Sequence, residues 1–378
     1  MKILVAGGGS GGHITPVIAV VAELKQLQPN ANVRFVTDKK FYKTAQSLLD
    51  SKGLTDVQLT RVLAGKFRRY ANFGVLDYLK HPSITLANIR DLFKVAAGFL
   101  QAKFLMLTWR PDVVFVKGGF VGLPVGLAAG KRPLVIHDSD TVPGLTNRIL
   151  SRKATKIATG MPLQNYHYDT KRSVYTGIPV DGSLKPVSTK QQAEAKAKFS
   201  FDPKRKLVVI TGGGLGARRL DDAVTEQREQ LLKFTQVALL AGKDQATNFD
   251  HTQQSTDFKI YDFLTDDFKD MIAAADVVVS RAGATAIAEF AALAKPVILV
   301  PNAMLPGSHQ VKNANALAAA DAVKVVVDSD LVGKPELLTT AIKEVLTDSN
   351  LSKQLATNIH QFAKPNAAKD LAKMILNE

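Results

Sequence analysis

The chain contains no cysteine. Disulfides, thiolate nucleophiles and cysteine-ligated zinc are thereby excluded, and such a composition suits the reducing cytoplasm. Long hydrophobic runs are missing too: nothing approaches the ~20 uninterrupted apolar residues of a membrane span. The apolar start at residues 1–6 stops at a run of glycines, far short of a secretory core segment, so no signal peptide is expected. Negative charge is scarce: 34 acidic residues against 49 Lys and Arg leave a formal net charge of +15. Such a surplus suits an anionic counterpart, either nucleic acid, an anionic membrane surface or phosphorylated substrates; the bland reading is solubility alone.

What is present points to a globular α/β protein. A chain of 378 residues is too long for one ordinary core, so two domains of under ~200 residues each are expected. Apolar runs bounded by Pro, Gly or Asp predict strands at residues 3–6, 33–37, 113–116 and 134–137. Between the first two, Thr15-Pro16 reads as a helix start, followed by Val17, Val20, Val21 and Leu24 at helical spacing. The pattern restarts at 206–211 and continues with strands at 237–241, 259–263, 277–280 and 297–300. Such alternation marks β-α-β units and parallel sheets. The expected fold is therefore α/β with two Rossmann-like domains, residues 1–179 and 180–359, divided near Gly177-Ile178-Pro179 ahead of a polar linker. A terminal helix is expected over 367–377; its pattern does not fix its domain, and residues 360–378 packing back on the first is one outcome.

Each half carries a glycine loop after its first strand: Gly7-Gly8-Gly9-Ser10-Gly11-Gly12-His13, and Gly212-Gly213-Gly214-Leu215-Gly216-Ala217. Glycines let the backbone turn tightly and approach a phosphate or sugar, while the following helix offers free N–H groups and a positive dipole end. The first loop alone fits NAD(P) as well as anything else, with Asp38 as the ribose ligand of an oxidoreductase. Two features oppose that reading. His13 and Ile14 stand where a dinucleotide site wants a small residue, and the duplicated loop suggests two ligands meeting in a cleft beyond the strand ends. His13 is a candidate general base, since imidazole titrates near neutral pH; the plainer alternative is a helix-start histidine bonded only to backbone. In the stretch 274–289 an apolar strand ends in Ser280-Arg281-Ala282-Gly283, with small residues leaving room for a ligand. Glu289 falls in the following helix, where a carboxylate can accept two ribose hydroxyls or else simply face water.

Together these segments resemble the GT-B glycosyltransferases, most closely the MurG family. The resemblance covers nearly the whole chain: GGGSGGHITP (7–16), PDVVFVKGGFVGLP (111–124), HDSDTVPGLTNR (137–148), TGIPV (176–180), GGGLGA (212–217), DFLTDD (262–267), SRAGATAIAEFAALAKPVILVP (280–301) and HQVKNA (309–314). The first and the last two are the specific ones. The resemblance implies transfer of N-acetylglucosamine from UDP-N-acetylglucosamine to undecaprenyl-linked muramyl-pentapeptide, by inverting attack of the muramyl 4-hydroxyl, with no cofactor or metal required. Closure over the donor would exclude water. For the donor it implies the second glycine loop (Gly212, Gly213, Gly214, Leu215, Gly216, Ala217) on the diphosphate and Phe263 and Leu264 at uracil. Arg281, Ala284 and Thr285 would bind the donor, Glu289 its ribose, and His309, Gln310 and Asn313 the sugar. For the acceptor it implies Gly9, Ser10, Gly11, Gly12 and His13 with Gly118, Gly119 and Asp140.

Three departures stand out. Gly214 and Leu215 replace a serine and a glutamine, and His137-Asp138-Ser139-Asp140 stands for HEQN. Asp181 stands where an arginine is usual, with Arg218, Arg219 or Lys243 as possible compensation. Between Arg61 and Arg110, basic residues interleave with bulky apolar ones. A patch of Lys66, Phe67, Arg68, Arg69, Tyr70, Phe73, Leu76 and Leu79 is expected to face an anionic membrane at the inner face of the plasma membrane, with 89–109 contributing core. No nucleic-acid module accompanies this charge, so nucleic acid is not expected as a partner. Two rivals stand beside the lipid-acceptor transferase: the NAD(P) oxidoreductase, and a non-catalytic relative that binds without turnover.

Overall fold

Apolar strands alternate with helices twice along the chain, and each series closes its own parallel sheet. The computed structural model describes the chain apart from residues 10, 69–73, 215, 243–248, 250–253, 263, 265 and 266, and the side chains of 75, 76, 79 and 306. It divides into two units: Met1–Gly182 with Met304–Gly307 and Lys364–Glu378, and Ser183–Ala303 with Ser308–Ala363.

The first unit runs β1 (Lys2–Ala6), α1 (Gly11–Leu27), β2 (Asn32–Thr37), α2 (Tyr42–Ser51), β3 (Gln58–Arg61), α3 (Val75–Lys80), α4 (Pro82–Trp109), β4 (Val113–Val116), α5 (Gly119–Ala128), β5 (Leu134–Asp138), α6 (Leu145–Leu150), β6 (Lys156–Thr159) and β7 (Ser173–Tyr175). Its strands are ordered β3-β2-β1-β4-β5-β6-β7. The central strands β4 and β5 are buried residue by residue, as parallel strands covered on both faces must be. Val113 pairs with Ile3 and Leu134 with Val114, which sets the loops after β1, β4 and β5 side by side. Strand order reverses between β1 and β4, the point where such sheets bind ligands.

The second unit runs α7 (Thr189–Lys198), β8 (Leu207–Thr211), α8 (Arg218–Glu226), α9 (Arg228–Leu232), β9 (Gln236–Leu240), β10 (Phe258–Tyr261), α10 (Phe268–Ala274), β11 (Val277–Ser280), α11 (Ala284–Ala292), β12 (Val297–Leu299), α12 (His309–Ala318), β13 (Lys324–Val325), α13 (Glu336–Thr347) and α14 (Ser349–His360). Its order is β10-β9-β8-β11-β12-β13, with the reversal between β8 and β11. The last helix, α15 (Ala367–Leu376), belongs to the first unit, where Leu371, Ala372 and Ile375 join the core beneath α1.

One sequence expectation needs correction and another is extended. The first helix begins at Gly11, not at Thr15; the Thr15 hydroxyl donates back to the Gly11 carbonyl at 3.3 Å, and Pro16 lies inside the helix. Segment 82–109 is one helix with two stripes: the core expected of 89–109 is present, beside an exposed apolar stripe that was not expected. Val95, Gly98, Ala102, Leu105, Met106 and Trp109 face the core, whereas Leu86, Ile89, Leu92, Phe93, Leu100, Phe104 and Leu107 are exposed. An exposed apolar surface thus lies on α4. Phe67 packs against the core and Arg68 pairs with buried Asp91 at 2.9 Å, leaving Lys66 exposed. Arg69, Tyr70 and Phe73, with the side chains of Leu76 and Leu79, lie outside the described residues.

Candidate active site

In the first unit the chemistry collects where β1, β4 and β5 end. Gly9 takes φ +83°, and a Cβ there would lie 2.3 Å from the Phe120 ring, so only glycine lets the loop pass. The Gly9 N–H donates to Asp38 Oδ1 at 3.1 Å. Asp38, the candidate ribose ligand of the oxidoreductase reading, thus braces the loop. Gly11, Gly12 and His13 form the first turn of α1, where helix N–H groups and the positive dipole end favour an anion. His13 is half-buried, and its ring lies across Gly119: a Cβ on that glycine (φ +70°) would be 3.0 Å from His13 Cδ2. Gly118 precedes α5 without a side-chain cap, Thr146 donates to the Gly119 carbonyl at 2.8 Å, and Asn147 donates to the His137 carbonyl at 2.9 Å. The two loops expected to face the acceptor are therefore one assembly. Ser10 lies outside the described residues.

Directly beneath it is a buried polar cluster. Lys117, 2% exposed, donates to Ser139 Oγ at 2.6 Å; Ser139 Oγ stands 3.4 Å from His137 Nδ1, and His137 Nε2 is 2.9 Å from the Gly177 carbonyl. The direction of this chain follows from its end. A carbonyl only accepts, so Nε2 carries the proton. Burial and the Lys117 charge hold the imidazole down to about 3, so the ring is neutral and Nδ1 accepts. Ser139 then donates to His137 and accepts from Lys117. Burial pushes the Lys117 ammonium down to about 8, with Asp140 and Asp138 opposing. Burial, reinforced by Asp140, pushes the Asp138 carboxyl up to about 7, although Tyr168 donates to its Oδ2 at 2.8 Å. Asp140 accepts the Tyr166 hydroxyl on its carbonyl at 2.7 Å.

In the second unit the glycine loop closes on itself through Gly216 N–H to the Gly213 carbonyl at 3.0 Å, with Gly242 packed against it. Gly212 abuts Ala217, and Gly214 is exposed. Behind the loop, Asp221 accepts from the Ala217 N–H at 3.3 Å. Arg281 is committed within the protein, donating through Nη1 to the Val300 carbonyl at 2.9 Å and to Asp328 at 2.5 Å. Arg219 holds the same carboxylate at 3.0 Å, whereas exposed Arg218 pairs with Asp222 at 3.8 Å. Asn313 is buried and donates to the Ala282 carbonyl at 3.1 Å, so its amide shapes the loop after β11. Gln310 accepts from the Asn302 N–H at 2.9 Å, and His309 opens α12. Ala284 and Thr285 form the uncapped first turn of α11, which carries half-buried Glu289 two residues farther along its axis than Ile287. Leu264 packs on the core; Leu215, Phe263 and Lys243 lie outside the described residues. Asp181, in the first unit, is paired with Lys52. Among the described residues, no three His, Asp or Glu side chains gather to hold a metal.

Sequence reasoning singled out neither Lys117, Asp138, Asp221 nor Asp328. A signal was present for the first two, since charges directly ending apolar strand runs are placed at the rim where a sheet binds ligands.

Models of known families match both halves: the glycosyltransferase family 28 N-terminal domain over residues 3–159 and its C-terminal domain over 207–374. The chain is 33% identical over 350 residues to the UDP-N-acetylglucosamine–N-acetylmuramyl-(pentapeptide) pyrophosphoryl-undecaprenol N-acetylglucosamine transferase of Lachnospira eligens, covering 92% of this chain and 91% of that one. It is 32% identical over 382 residues to the enzyme of the same name from Flavobacterium psychrophilum, covering 99% and 97%. Its fold is similar to that of the Acinetobacter baumannii MurG crystal structure, with a TM-score of 0.69, 25% identity, and coverage of 100% and 99%.

Proposed function

This chain belongs to glycosyltransferase family 28, among its MurG-type transferases, and from that premise we propose its reaction and the residues that carry it. It transfers N-acetylglucosamine from UDP-N-acetylglucosamine to the muramyl sugar of undecaprenyl-diphosphate-linked muramyl-pentapeptide. The single observation that carries this is likeness over nearly the full length to transferases so named. The oxidoreductase alternative loses its support twice, since the family is a transferase family and Asp38 is engaged with Gly9.

In the proposed step the muramyl 4-hydroxyl oxygen bonds to the anomeric carbon as the bond to the UDP oxygen breaks, inverting the configuration. UDP leaves with the electron pair, and its charge is met by the second glycine loop and the start of α8. Glu289 holds the ribose, while Gln310 and His309 face the sugar. The acceptor diphosphate rests on Gly9–His13 and Gly118–Gly119, and His13 takes the hydroxyl proton. His13→Ala is expected to lower kcat by roughly a hundredfold or more while UDP affinity stays at the wild-type value. Wild-type turnover in that variant would remove His13 from the chemistry; absence of transfer by the wild-type enzyme would overturn the function itself. No cofactor takes part, so turnover should persist in excess chelator, and loss of activity restored by a divalent cation would contradict this.

The enzyme works at the inner face of the plasma membrane, through the exposed stripe of α4. That stripe is flanked by Arg90, Lys94 and Lys103 and adjoins an apolar depression lined by Leu92, Phe99, Leu127 and Lys153. Bulky apolar side chains beside cations suit shallow insertion into an anionic leaflet.

A further inference from the structure

Lys117 has no place in the reaction as described so far, yet the fold goes to some length to keep it. A lysine that is 2% exposed directly follows the inner strand β4 and directly precedes Gly118 and Gly119. An ammonium is normally left in water because burying it is costly, and such a charge survives only with partners. Here the partners are incomplete. Its one hydrogen bond among the described contacts goes to neutral Ser139, at 2.6 Å. Asp138 and Asp140 act on it through space, and Asp138 is already committed to the Tyr168 hydroxyl and, at 3.3 Å, to the Gly144 N–H. The cluster therefore holds a cation whose compensation is unfinished, at the sheet's point of strand-order reversal and under two loops built to receive an anion.

We propose that Lys117 is a positioning residue for the acceptor: its buried charge draws the acceptor diphosphate onto the Gly118-Gly119 and Gly9–His13 loops, and its chain through Ser139 and His137 to Gly177 holds those loops in register. This rests on the acceptor reading given above. A diphosphate above the cluster favours the charged form of Lys117 and the neutral form of Asp138. Because these groups titrate at about 8 and about 7, binding of the anion near pH 7.5 draws protons onto the protein. The other groups facing the cluster are His13 from α1, His137 and Asp140 around the end of β5, and Tyr166 and Tyr168 with Arg148 behind them. His137, held down to about 3, stays neutral throughout that range, and both tyrosines, raised chiefly by burial, stay protonated.

The experiment uses the full chain with saturating UDP, so that the donor loop is occupied, and titrates inorganic pyrophosphate calorimetrically at pH 7.5 in two buffers of different ionisation enthalpy. The wild type should bind with net proton uptake; Lys117→Met should bind roughly tenfold or more weakly and with less uptake, and Lys117→Arg should recover most of the affinity. In turnover with a short-prenyl water-soluble acceptor, K117M should raise the acceptor KM by a similar factor and leave the donor KM unchanged. Should K117M fail to fold, Ser139→Ala keeps the charge but cuts the chain, and it should retain proton uptake while its acceptor KM rises. Wild-type binding without proton uptake, or a K117M acceptor KM equal to the wild type's, overturns the proposal. Proton-linked pyrophosphate binding in an enzyme that does not use the muramyl acceptor would instead overturn the acceptor reading alone.

Discussion

Asp221 lies in the first turns of α8, behind the glycine loop of the second unit, and is 6% exposed. Its Oδ2 accepts the Ala217 N–H, while the buried Oδ1 has no hydrogen-bond partner. Burial pushes the carboxyl up to about 7, although the Ala217 N–H and Arg281 favour its ionised form. The sign of the consequence follows from linkage. The folded chain binds a proton more tightly here than the unfolded chain does, so stability is lost as pH rises from the ordinary carboxylate range through about 7. Asp221→Asn removes that loss. In urea unfolding it should match the wild type near pH 4 and exceed it at pH 8 by on the order of 2 kcal/mol; equal stability at both pH values would show that Asp221 ionises at no cost. The same loop shows the limit of motif reading. Gly212 to Ala217 were legible as a phosphate-type loop because glycine spacing is local. Asp221 and Asp328 were not, because a charge in sequence carries no sign of whether folding buries it or which partner it meets.

At the scale of elements, apolarity made the central strands legible: β4 and β11 were expected within the ranges they occupy. The edge strands β3, β7 and β13 were missed, being short and half-polar, and so was β6 beside one of them. Helix α4 supplies the core expected of 89–109, but its exposed stripe was not foreseen, for a physical reason. Its apolar residues recur at helical spacing on two faces, and periodicity reports a stripe without reporting which stripe meets the core. Leu86, Phe93, Leu100 and Leu107 stand seven residues apart on the exposed side. Phe93 and Phe104 are 70% and 68% exposed, so replacing both with glutamate should change stability by no more than about 0.5 kcal/mol. The same double variant should lose sedimentation with anionic vesicles while UDP affinity is retained. Undiminished vesicle binding would move the membrane contact off α4.

The whole chain repeats one plan twice, a parallel sheet with apolar layers on both faces, and then departs from it at the end. After completing the second unit with α14, the chain returns to the first, where Leu371 is fully buried in the cluster that holds Ile14, Val17 and Val21 of α1. Stability of the first unit therefore depends on residues that follow the whole of the second unit in sequence. With a separate core in each unit, unfolding is expected to show two transitions. UDP binds folded protein only, so it should raise the transition of the unit that holds the donor loop, by mass action. Leu371→Ala empties a packed site and should cost about 3 kcal/mol, in the other transition. Scanning calorimetry of wild type and Leu371→Ala, each with and without UDP, tests the division. The variant should lower only the transition that UDP leaves in place, even though residue 371 follows every donor-side element in sequence. If Leu371→Ala instead lowers the UDP-responsive transition, the terminal helix supports the donor unit, and its assignment beneath α1 is wrong.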